Sequence, residues 1–600
     1  MSAADPLPDT LPARLWGLAR DRGDAVGLRE KELGIWKERT WGDYLDAVVA
    51  AAVALDAAGV GPGDCVAILS DNRSEWLFAD LAAQALGALA VGIYQTNPPD
   101  DVAYVLAHSR SVLLFAEDQE QVDKAVAVRD ATPTVRRIVV FDPRGTRGYE
   151  DPRLGSWEDF LRAGRGVDRS WFRERLAERD PGAPSMVVYT SGTTGSPKGA
   201  LLSASNVLSS ADAIAPALGV GPDDSLLSYL PLCHVAEKIF TFFLPLSTGA
   251  VVHFGESIAT VQQDLRDVSP SVFLGVPRIW EKMAAGVQVK MDDSSWLKRG
   301  LYRFFEPRRR AMAGRRRTLG EGILWSLGDL LVFRALQERL GLRRCRLPMS
   351  GAAPISAELL TWFGGVGVPV VEAYGMTECG GASHVQRPGD QRPGSVGQAI
   401  AGTECRIADD GEVLMRGPHV FLGYLHDAEA TAAAIDDAGW LHTGDLGAID
   451  PAGSLSITGR KKEILITAGG KNLSPERIEG ALKASPFLKE VVAVGDGRKF
   501  VGALVQIEAE TVGHWAAGKG IAYTDFEDLS GRPEVEALVQ AEVRRANERL
   551  APVEQVRGFR LLRKELHQDD GELTATQKVR RSAVLEAHAA LVDAIYGGRP

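Results

Sequence analysis

The sequence predicts an α/β protein: a large N-terminal domain of two βα-layered subdomains plus a small β-rich lobe, followed by a small α+β C-terminal domain. Three observations predict it. Two stretches repeat the order strand, helix, strand, helix, strand; the texture changes after Gln398 to short alternating runs; and a compact tail, long enough to be a separate domain, begins at Lys461.

The first pass opens at Cys65 with the apolar run CVAIL and continues through a helix SEWLFADLAAQALGA, a strand LAVGIY, a helix PDDVAYVLAHS and a strand VLLFA. Unbroken apolar runs separated by helices are the pattern of a parallel sheet buried on both faces. The second pass opens at Ser225, where SLLSYLPL, VAEKIFTFFLPLSTGA, VVHF, TVQQDLRDVS and SVFLG follow in the same order with similar lengths. After Gln398, CRIADDGEVLMRGPHVFLGYL alternates apolar and polar residues between turn signals, which suits a small antiparallel unit and reads as a third lobe. In the tail, Ser474 and Pro475 open a helix, VVAVGDGRKFVGALVQIEAE reads as a hairpin-like pair, and another helix lies near Val535 to Leu550.

Six hundred residues at 45% hydrophobic content bury a large core, and the formal charge of −11 argues against a general nucleic-acid binder. Cysteines at 65, 233, 345, 379 and 405 form no CxxC pair, which suits reduced thiols in a cytoplasm-like compartment with no disulfide and no zinc. The N-terminus lacks a basic segment followed by an apolar signal core. The most apolar stretch, Ile239 to Phe254, is broken by Pro245 and Gly249 and falls short of a membrane span. A cytoplasmic protein is expected, with any membrane contact peripheral and at the inner face. One run, Lys298 to Arg317, is strongly basic with interleaved aromatics. Three readings of it stand open: a solvated helical face, contact with an anionic membrane surface, or contact with an anionic cofactor tail.

The chemistry is concentrated in YTSGTTGSPKG at Tyr189 to Gly199, directly after the apolar MVV. Gly192, Gly195 and Gly199 let the backbone turn its N–H groups toward one point, Ser191, Thr193 and Thr194 add hydroxyls, and Lys198 supplies a point charge for a polyphosphate such as ATP. Lys198 is followed by glycine, where a Walker loop carries the magnesium-binding hydroxyl, so a carboxylate elsewhere must hold the metal. A flexible Ser/Gly linker is the bland alternative, at odds with a Pro-Lys-Gly brake after a buried strand. GVGPG at Gly59 to Gly63 and GGVG at Gly364 to Gly367 lack dinucleotide spacing and read as turns.

VPVVEA at Val368 to Ala373 leads into YGMTE, placing Tyr374, Thr377 and Glu378 at the C-terminal end of a parallel strand, where α/β proteins bind ligands. A hydroxyl beside a carboxylate suits magnesium and a phosphate oxygen together. In HTGDLG, Asp445 has the chemistry to take two ribose hydroxyls, and Arg460 adds a donor for the same sugar. GELTATQKVRR presents Lys578 on a loop outside the main body, where a lone lysine is ordinarily solvated surface.

TSGTTGSPKG, SGAAP at Ser350 to Pro354, YGMTE, TGD, GRKKE and LTATQK occur in the order found in adenylate-forming enzymes, and the chain resembles that superfamily from about residue 35 to residue 590. LPLCHVAEK at 230 to 238, GVPRIWEKM at 275 to 283 and the basic insertion before SGAAP are most similar to its long-chain fatty acyl-CoA synthetases. The resemblance implies two domains, residues 1–459 for AMP and acyl binding and 460–600 as a mobile domain carrying the catalytic lysine, with Lys462 as hinge. It implies that a carboxylate attacks the α-phosphate of ATP, releasing pyrophosphate, and that CoA then displaces AMP. Lys578, Thr377, Glu378 and His234 are then the catalytic set, with His234 positioning the carboxylate rather than acting as a base. Thr190 and Glu378 hold Mg2+. Thr190 to Gly195 and Lys198 grip phosphate; Ala352, Ala353, Pro354, Glu372, Tyr374 and Gly375 line the nucleotide pocket; Asp445 and Arg460 hold ribose. Gly469, Gly470 and Lys471 serve CoA, and Gly275 and Val276 line the acyl pocket.

The chain departs from the pattern at LLSASN (Leu201 to Asn206), where many relatives carry a histidine before the asparagine, at SGAAP, where a second glycine is frequent, and at Lys462, where some branches have aspartate. The expected activity is ligation of medium- to long-chain fatty acids to CoA. The alternatives are an acyl-AMP ligase feeding a carrier protein, a ligase for an aromatic or branched acid, and a non-catalytic adenylate sensor.

Overall fold

The computed structural model describes residues 6–190, 196–574 and 577–597. The first pass folds as read, with strands Cys65–Leu69, Leu89–Ile93 and Leu113–Ala116 enclosing helices Ser74–Ala85 and Pro99–Ser109. The three strands are parallel and buried at every residue, which is why their sequences carry no polar alternation. They form the middle of an eight-stranded sheet that adds Arg137–Val140 and Leu154–Ser156 on one side and Pro184–Thr190, Lys198–Ser203 and Gly423–Tyr424 on the other.

The second pass gives parallel strands Ser225–Ser228, Val251–Phe254 and Val272–Gly275, joined by Leu347–Ser350 and Val371–Tyr374. Its opening strand ends four residues earlier than SLLSYLPL suggests. The following helix is interrupted, with a π-helical stretch Lys238–Phe243 between Val235–Glu237 and Leu244–Thr248. The widened turn coincides with a buried ion pair: Lys238 Nζ lies 2.7 Å from Asp80 Oδ2 and 4.1 Å from the Trp76 ring centroid. On the sheet's far side the N-terminal strand Val26–Glu32 pairs in parallel with Val251–Phe254 and antiparallel with the edge strand Ile35–Thr40.

The third lobe is not a detached unit. Strands Glu404–Ile407, Glu412–Arg416, Leu441–Ile449 and Ser454–Arg460 are antiparallel as expected, yet they continue through Gly397–Ala399 and His384–Val385 into Val371–Tyr374, making one thirteen-stranded mixed sheet. Pairing between residues far apart in sequence leaves no local signal, so alternation alone gave the strands but not their join.

One core joins the two large sheets, with Val66 and Met186 of the first packed in the same cluster as Leu226, Val272 and Met349 of the second. A separate core of Ile478, Leu488, Val505, Val539 and Phe559 holds the smaller C-terminal domain around strands Leu488–Val494, Val501–Ile507 and Val556–Leu561. Its first helix, Pro475–Lys483, begins at Ser474 and Pro475 as read, with Ser474 at the N-cap position but without a side-chain capping hydrogen bond. Among the described residues, no helix is long and apolar enough to cross a membrane.

Candidate active site

The phosphate-loop motif closes a β-hairpin. Strand Pro184–Thr190 runs antiparallel to Lys198–Ser203, with Thr190 opposite Lys198 and its hydroxyl 3.4 Å from the Lys198 carbonyl oxygen. Ser191, Gly192, Thr193, Thr194 and Gly195 lie outside the described residues. The stems are braced from the neighbouring Pro99–Ser109 helix: Tyr104 Oη donates to Pro197 O at 3.0 Å, and His108 Nδ1 lies 2.8 Å from Tyr189 Oη.

Lys198 and Glu378 are linked by a residue that sequence reasoning missed. Tyr424 lies on a two-residue edge strand paired to Ala200; its ring sits 5.1 Å from the Lys198 ammonium, and its hydroxyl donates to Glu378 Oε1 at 2.7 Å. Glu378 and Thr377 form the turn that leaves Val371–Tyr374. Burial pushes the Glu378 carboxyl above its ordinary pKa, and the Tyr424 hydroxyl only partly offsets this. Its hydrogen-bond donors, the Tyr424 hydroxyl and a backbone N–H, are neutral, and the Arg460 guanidinium acts on it without contact, so this buried carboxylate is short of positive charge.

Asp445 and Arg460 are direct partners across Leu441–Ile449 and Ser454–Arg460, and Arg460 Nε lies 2.8 Å from Asp445 Oδ1. Tyr374 Oη donates to the other Asp445 oxygen, and the Thr443 hydroxyl accepts from the Asp445 backbone N–H at 3.1 Å. The carboxylate is thereby oriented from both ends.

Lys578 reaches this group from the C-terminal domain. Its backbone is tied to Thr574 in both directions, N–H to Oγ1 at 3.1 Å and carbonyl to Thr574 N at 2.8 Å, which fixes where the side chain starts. The side chain remains open to solvent along the cleft, but enough protein surrounds it to lower its pKa, burial acting first and the Arg460 guanidinium second, against the pull of Asp445. His234 faces the same ammonium: burial first, and Lys578 second, lower its pKa to about 3. Its Nδ1 accepts from Ala236 N at 3.1 Å, which leaves the ring proton on Nε2. Burial thus favours the neutral imidazole.

The nucleotide-pocket candidates follow from sheet order. Leu347–Ser350 and Val371–Tyr374 are parallel neighbours, so Ala352, Ala353 and Pro354 leave one strand end beside Tyr374 and Gly375 on the next. Ala352 has φ +67, a left-handed conformation that favours glycine. A side chain on Gly375 would meet Gly381 O at 2.2 Å, so this position admits only glycine without backbone movement. Glu372 shares the strand face of Tyr374; Gln386 Nε2 at 3.2 Å and Gly394 N at 3.3 Å donate to it, yet burial dominates and pushes its pKa up to about 8.

Other candidates stand apart. The space that a Gly275 side chain would take is filled by the Trp280 indole, whose Nε1 donates to Gly275 O at 2.9 Å, and Val276 caps the next helix. Gly469, Gly470 and Lys471 form an exposed hairpin turn whose hydrogen bonds run to Thr467, with the neighbouring Ala468 bonded to Arg498; the structure does not bring them to Lys578. Lys462 is exposed, whereas Lys461 Nζ pairs with Asp410 at 2.5 Å and Glu412 at 3.0 Å, a tether that the sequence reading did not single out.

Thr190, Lys198, Glu378, Tyr374, Asp445, Arg460, Lys578 and His234 thus form a connected set: Tyr374 ends a parallel strand and Glu378 and His234 follow such ends, where α/β sheets bind ligands, while Asp445 and Arg460 come from the adjoining antiparallel pair and Lys578 from the C-terminal domain. Among the described residues no three His, Cys, Asp or Glu side chains cluster to hold a metal. Magnesium bound through one carboxylate plus substrate phosphates needs no such cluster, and the charge-deficient Glu378 fits that role.

A family model described as AMP-binding enzyme matches residues 18–425, and one described as AMP-binding enzyme C-terminal domain matches 462–599. The chain is 35% identical to the long-chain-fatty-acid–CoA ligase FadD15 of Mycobacterium bovis, covering 98% of this chain and 97% of the relative. It is 31% identical to the long-chain-fatty-acid–CoA ligase ACSBG2 of Xenopus laevis, covering 96% and 82%. The crystal structure of the anthranilate CoA ligase AuaEII with anthranoyl-AMP shares the fold at TM-score 0.75 and 22% identity, over 99% of this chain and all of that one. The large N-terminal and smaller C-terminal domains, the ordered site and these matches lead to one conclusion: the chain belongs to the AMP-binding enzyme family.

Proposed function

We propose that this protein is an ATP-dependent, AMP-forming ligase that joins medium- to long-chain fatty acids to CoA through an acyl adenylate. The observation that carries the reading is the convergence of Lys578 with Asp445, Arg460 and His234, a cation brought by the small domain to a ribose-type carboxylate in the large one. The printed names of FadD15 and ACSBG2 supply the substrate class.

In the first step a fatty-acid carboxylate oxygen bonds to the α-phosphorus and the bond to pyrophosphate breaks. Two anions must meet, so the step depends on fixed positive groups. Lys578 offsets charge at the α-phosphate, and Lys198 and the Thr190 hydroxyl face the leaving phosphates. Asp445 and Arg460 fix the ribose. Glu378 and Thr190 would hold Mg2+, which supplies charge neutralisation when bound. His234, neutral with its proton on Nε2, donates one hydrogen bond to orient the acid.

In the second step the CoA sulfur bonds to the acyl carbon and AMP leaves. The hydrogen bonds of the turn at Gly469 to Lys471 stay within its own hairpin and none joins it to Lys578, which supports a second step in which the domain beyond about residue 460 reorients with Lys462 as pivot. Besides the Arg460 and Lys461 pairs beside the pivot, the polar contacts across the domains among the described residues are peripheral, among them Arg549–Glu358 at 3.3 Å, His514–Asp293 at 3.4 Å, Gln568 to Thr96 O at 3.1 Å, and Arg278–Glu508. Half-exposed pairs of this kind contribute about 0–1 kcal/mol each, a small barrier to reorientation.

The test is pyrophosphate release by the purified protein with ATP, magnesium and palmitate, with and without CoA. Palmitoyl-CoA formed only when CoA is present is the expected result. Adenylate accumulating while CoA is ignored points to a carrier-protein ligase, and pyrophosphate release with aromatic but not fatty acids overturns the substrate class.

A further inference from the structure

Half of the large hydrophobic side chains exposed among the described residues, eight of sixteen, fall within residues 296–331. This concentration is not scattered surface apolarity. On the helix Leu319–Gly328 and its π-helical continuation Asp329–Phe333, Leu319, Ile323, Leu327, Leu330 and Leu331 are 46–92% exposed. Spacings of four, four, three and one place them on a single face. The preceding helix Trp296–Met312 is anchored inward: Tyr302, Phe305 and Met312 are buried, and Trp362 Nε1 donates to Tyr302 Oη at 3.1 Å. Its exposed Trp296 and Phe304 add aromatic surface.

Charge accompanies the apolar face. Residues 296–334 hold ten Lys or Arg against three Asp or Glu, in a chain of net charge −11. Behind the leucines a cavity of about 510 Å³ is lined by Arg309, Arg317, Trp325, Asp329, Arg334 and Arg343, among others. Most basic side chains of this run, Lys298, Arg303, Arg308 and Arg315 to Arg317 among them, are solvated, but Arg309 is not. Its side chain is wholly buried, stacked 3.8 Å from Trp325 and 4.3 Å from Phe333, and its Nε and Nη2 have no hydrogen-bond partner. Arg317 stacks on the same indole at 3.5 Å. Asp329 is shared between Arg309 at 3.4 Å and Arg343 at 3.7 Å. Buried guanidinium donors without partners, in a basic cavity at the base of an apolar stripe, match a phosphate attached to something apolar.

We propose that the two-helix hairpin at residues 296–333 docks on an anionic membrane, the leucine face entering the lipid and the arginine cavity receiving a lipid phosphate. Apolar burial and charge act together, as a two-signal peripheral anchor requires. The docking would hold the enzyme at a surface where long-chain acids partition, without any membrane-spanning segment.

The test is co-sedimentation of the full-length protein with vesicles of phosphatidylcholine alone or with added phosphatidylglycerol. Binding to the anionic vesicles only, weakened by high salt, is expected. The triple variant Leu319→Ser, Ile323→Ser, Leu327→Ser should bind at least tenfold more weakly with an unchanged thermal midpoint, since these side chains are solvated in the free protein. Arg316→Ala and Arg334→Ala should each weaken binding about fivefold. The proposal is overturned if the wild-type protein binds neither vesicle, if both vesicles bind equally, or if the serine variant binds like wild type. It is also overturned if sedimentation velocity shows a dimer that the serine variant dissolves, because the leucine face is then covered by a second copy. None of these readouts requires turnover, so the result is independent of the ligase reading.

Discussion

Replacing Asp445 with asparagine keeps the side chain's size and its hydrogen bond from Tyr374 while removing the charge that meets Arg460 at 2.8 Å. A hydrogen bond to a charged group contributes about 1.5–3 kcal/mol and a neutral one about 0.5–1.5. If two ribose hydroxyls donate to this carboxylate, neutralising it costs roughly 2–3 kcal/mol of nucleotide binding, about 30- to 150-fold in kcat/KM for ATP. Stability should change far less, because the Arg460 side chain is 47% exposed and water can replace its partner. The assay is pyrophosphate release against ATP concentration at saturating palmitate, alongside thermal unfolding. A kcat/KM for ATP within threefold of wild type, with the protein folded, would refute the assignment of Asp445 to the ribose.

Further expectations concern packing, electrostatics and the metal-side carboxylate. Gly375→Ala drives a methyl to 2.2 Å from Gly381 O, so the midpoint of denaturant unfolding should fall by an amount equivalent to about 1–3 kcal/mol or more; an unchanged midpoint contradicts the close approach. Glu372, raised from 4.5 to about 8, is protonated in the folded protein where the unfolded chain is ionised. Its contribution to stability is therefore complete below about 4.5 and lost as pH rises through about 8. Glu372→Gln should flatten the stability profile over that window, and a slope equal to wild type would count against it. Tyr424→Phe removes the 2.7 Å donor to Glu378 and should slow adenylation about ten- to a hundredfold with little change in thermal midpoint; undiminished pyrophosphate release would show that the hydroxyl has no part in holding that carboxylate.

The fold was legible where signals are local. CVAIL, LAVGIY and VLLFA became strands to within one residue because a strand buried on both faces is written as an unbroken apolar run. The thirteen-stranded sheet was not legible as one object, since the pairings of Val371–Tyr374 with His384–Val385 and of Val26–Glu32 with Val251–Phe254 are long-range or involve two-residue strands. The site divides in the same way. Asp445 and Arg460 were readable from residue chemistry, and the structure places them opposite each other. Tyr424 and Lys461 were not, because each acts through a partner, Glu378 or Glu412, that only folding brings near. Lys578 could not be told from solvated surface by composition; the ordered motifs singled it out, and the structure places it beside Asp445. The positive φ at Ala352 shows the converse: an unusual residue in a motif marks a backbone position whose strain the sequence alone does not reveal.

The measurement that most directly tests the account separates the two half-reactions in Lys578→Ala. Palmitate-dependent pyrophosphate release should fall about 10²- to 10³-fold, while synthesis of palmitoyl-CoA from supplied palmitoyl adenylate and CoA should stay near the wild-type rate, because the lysine serves only the first step. Equal loss in both half-reactions, or undiminished pyrophosphate release, would contradict it.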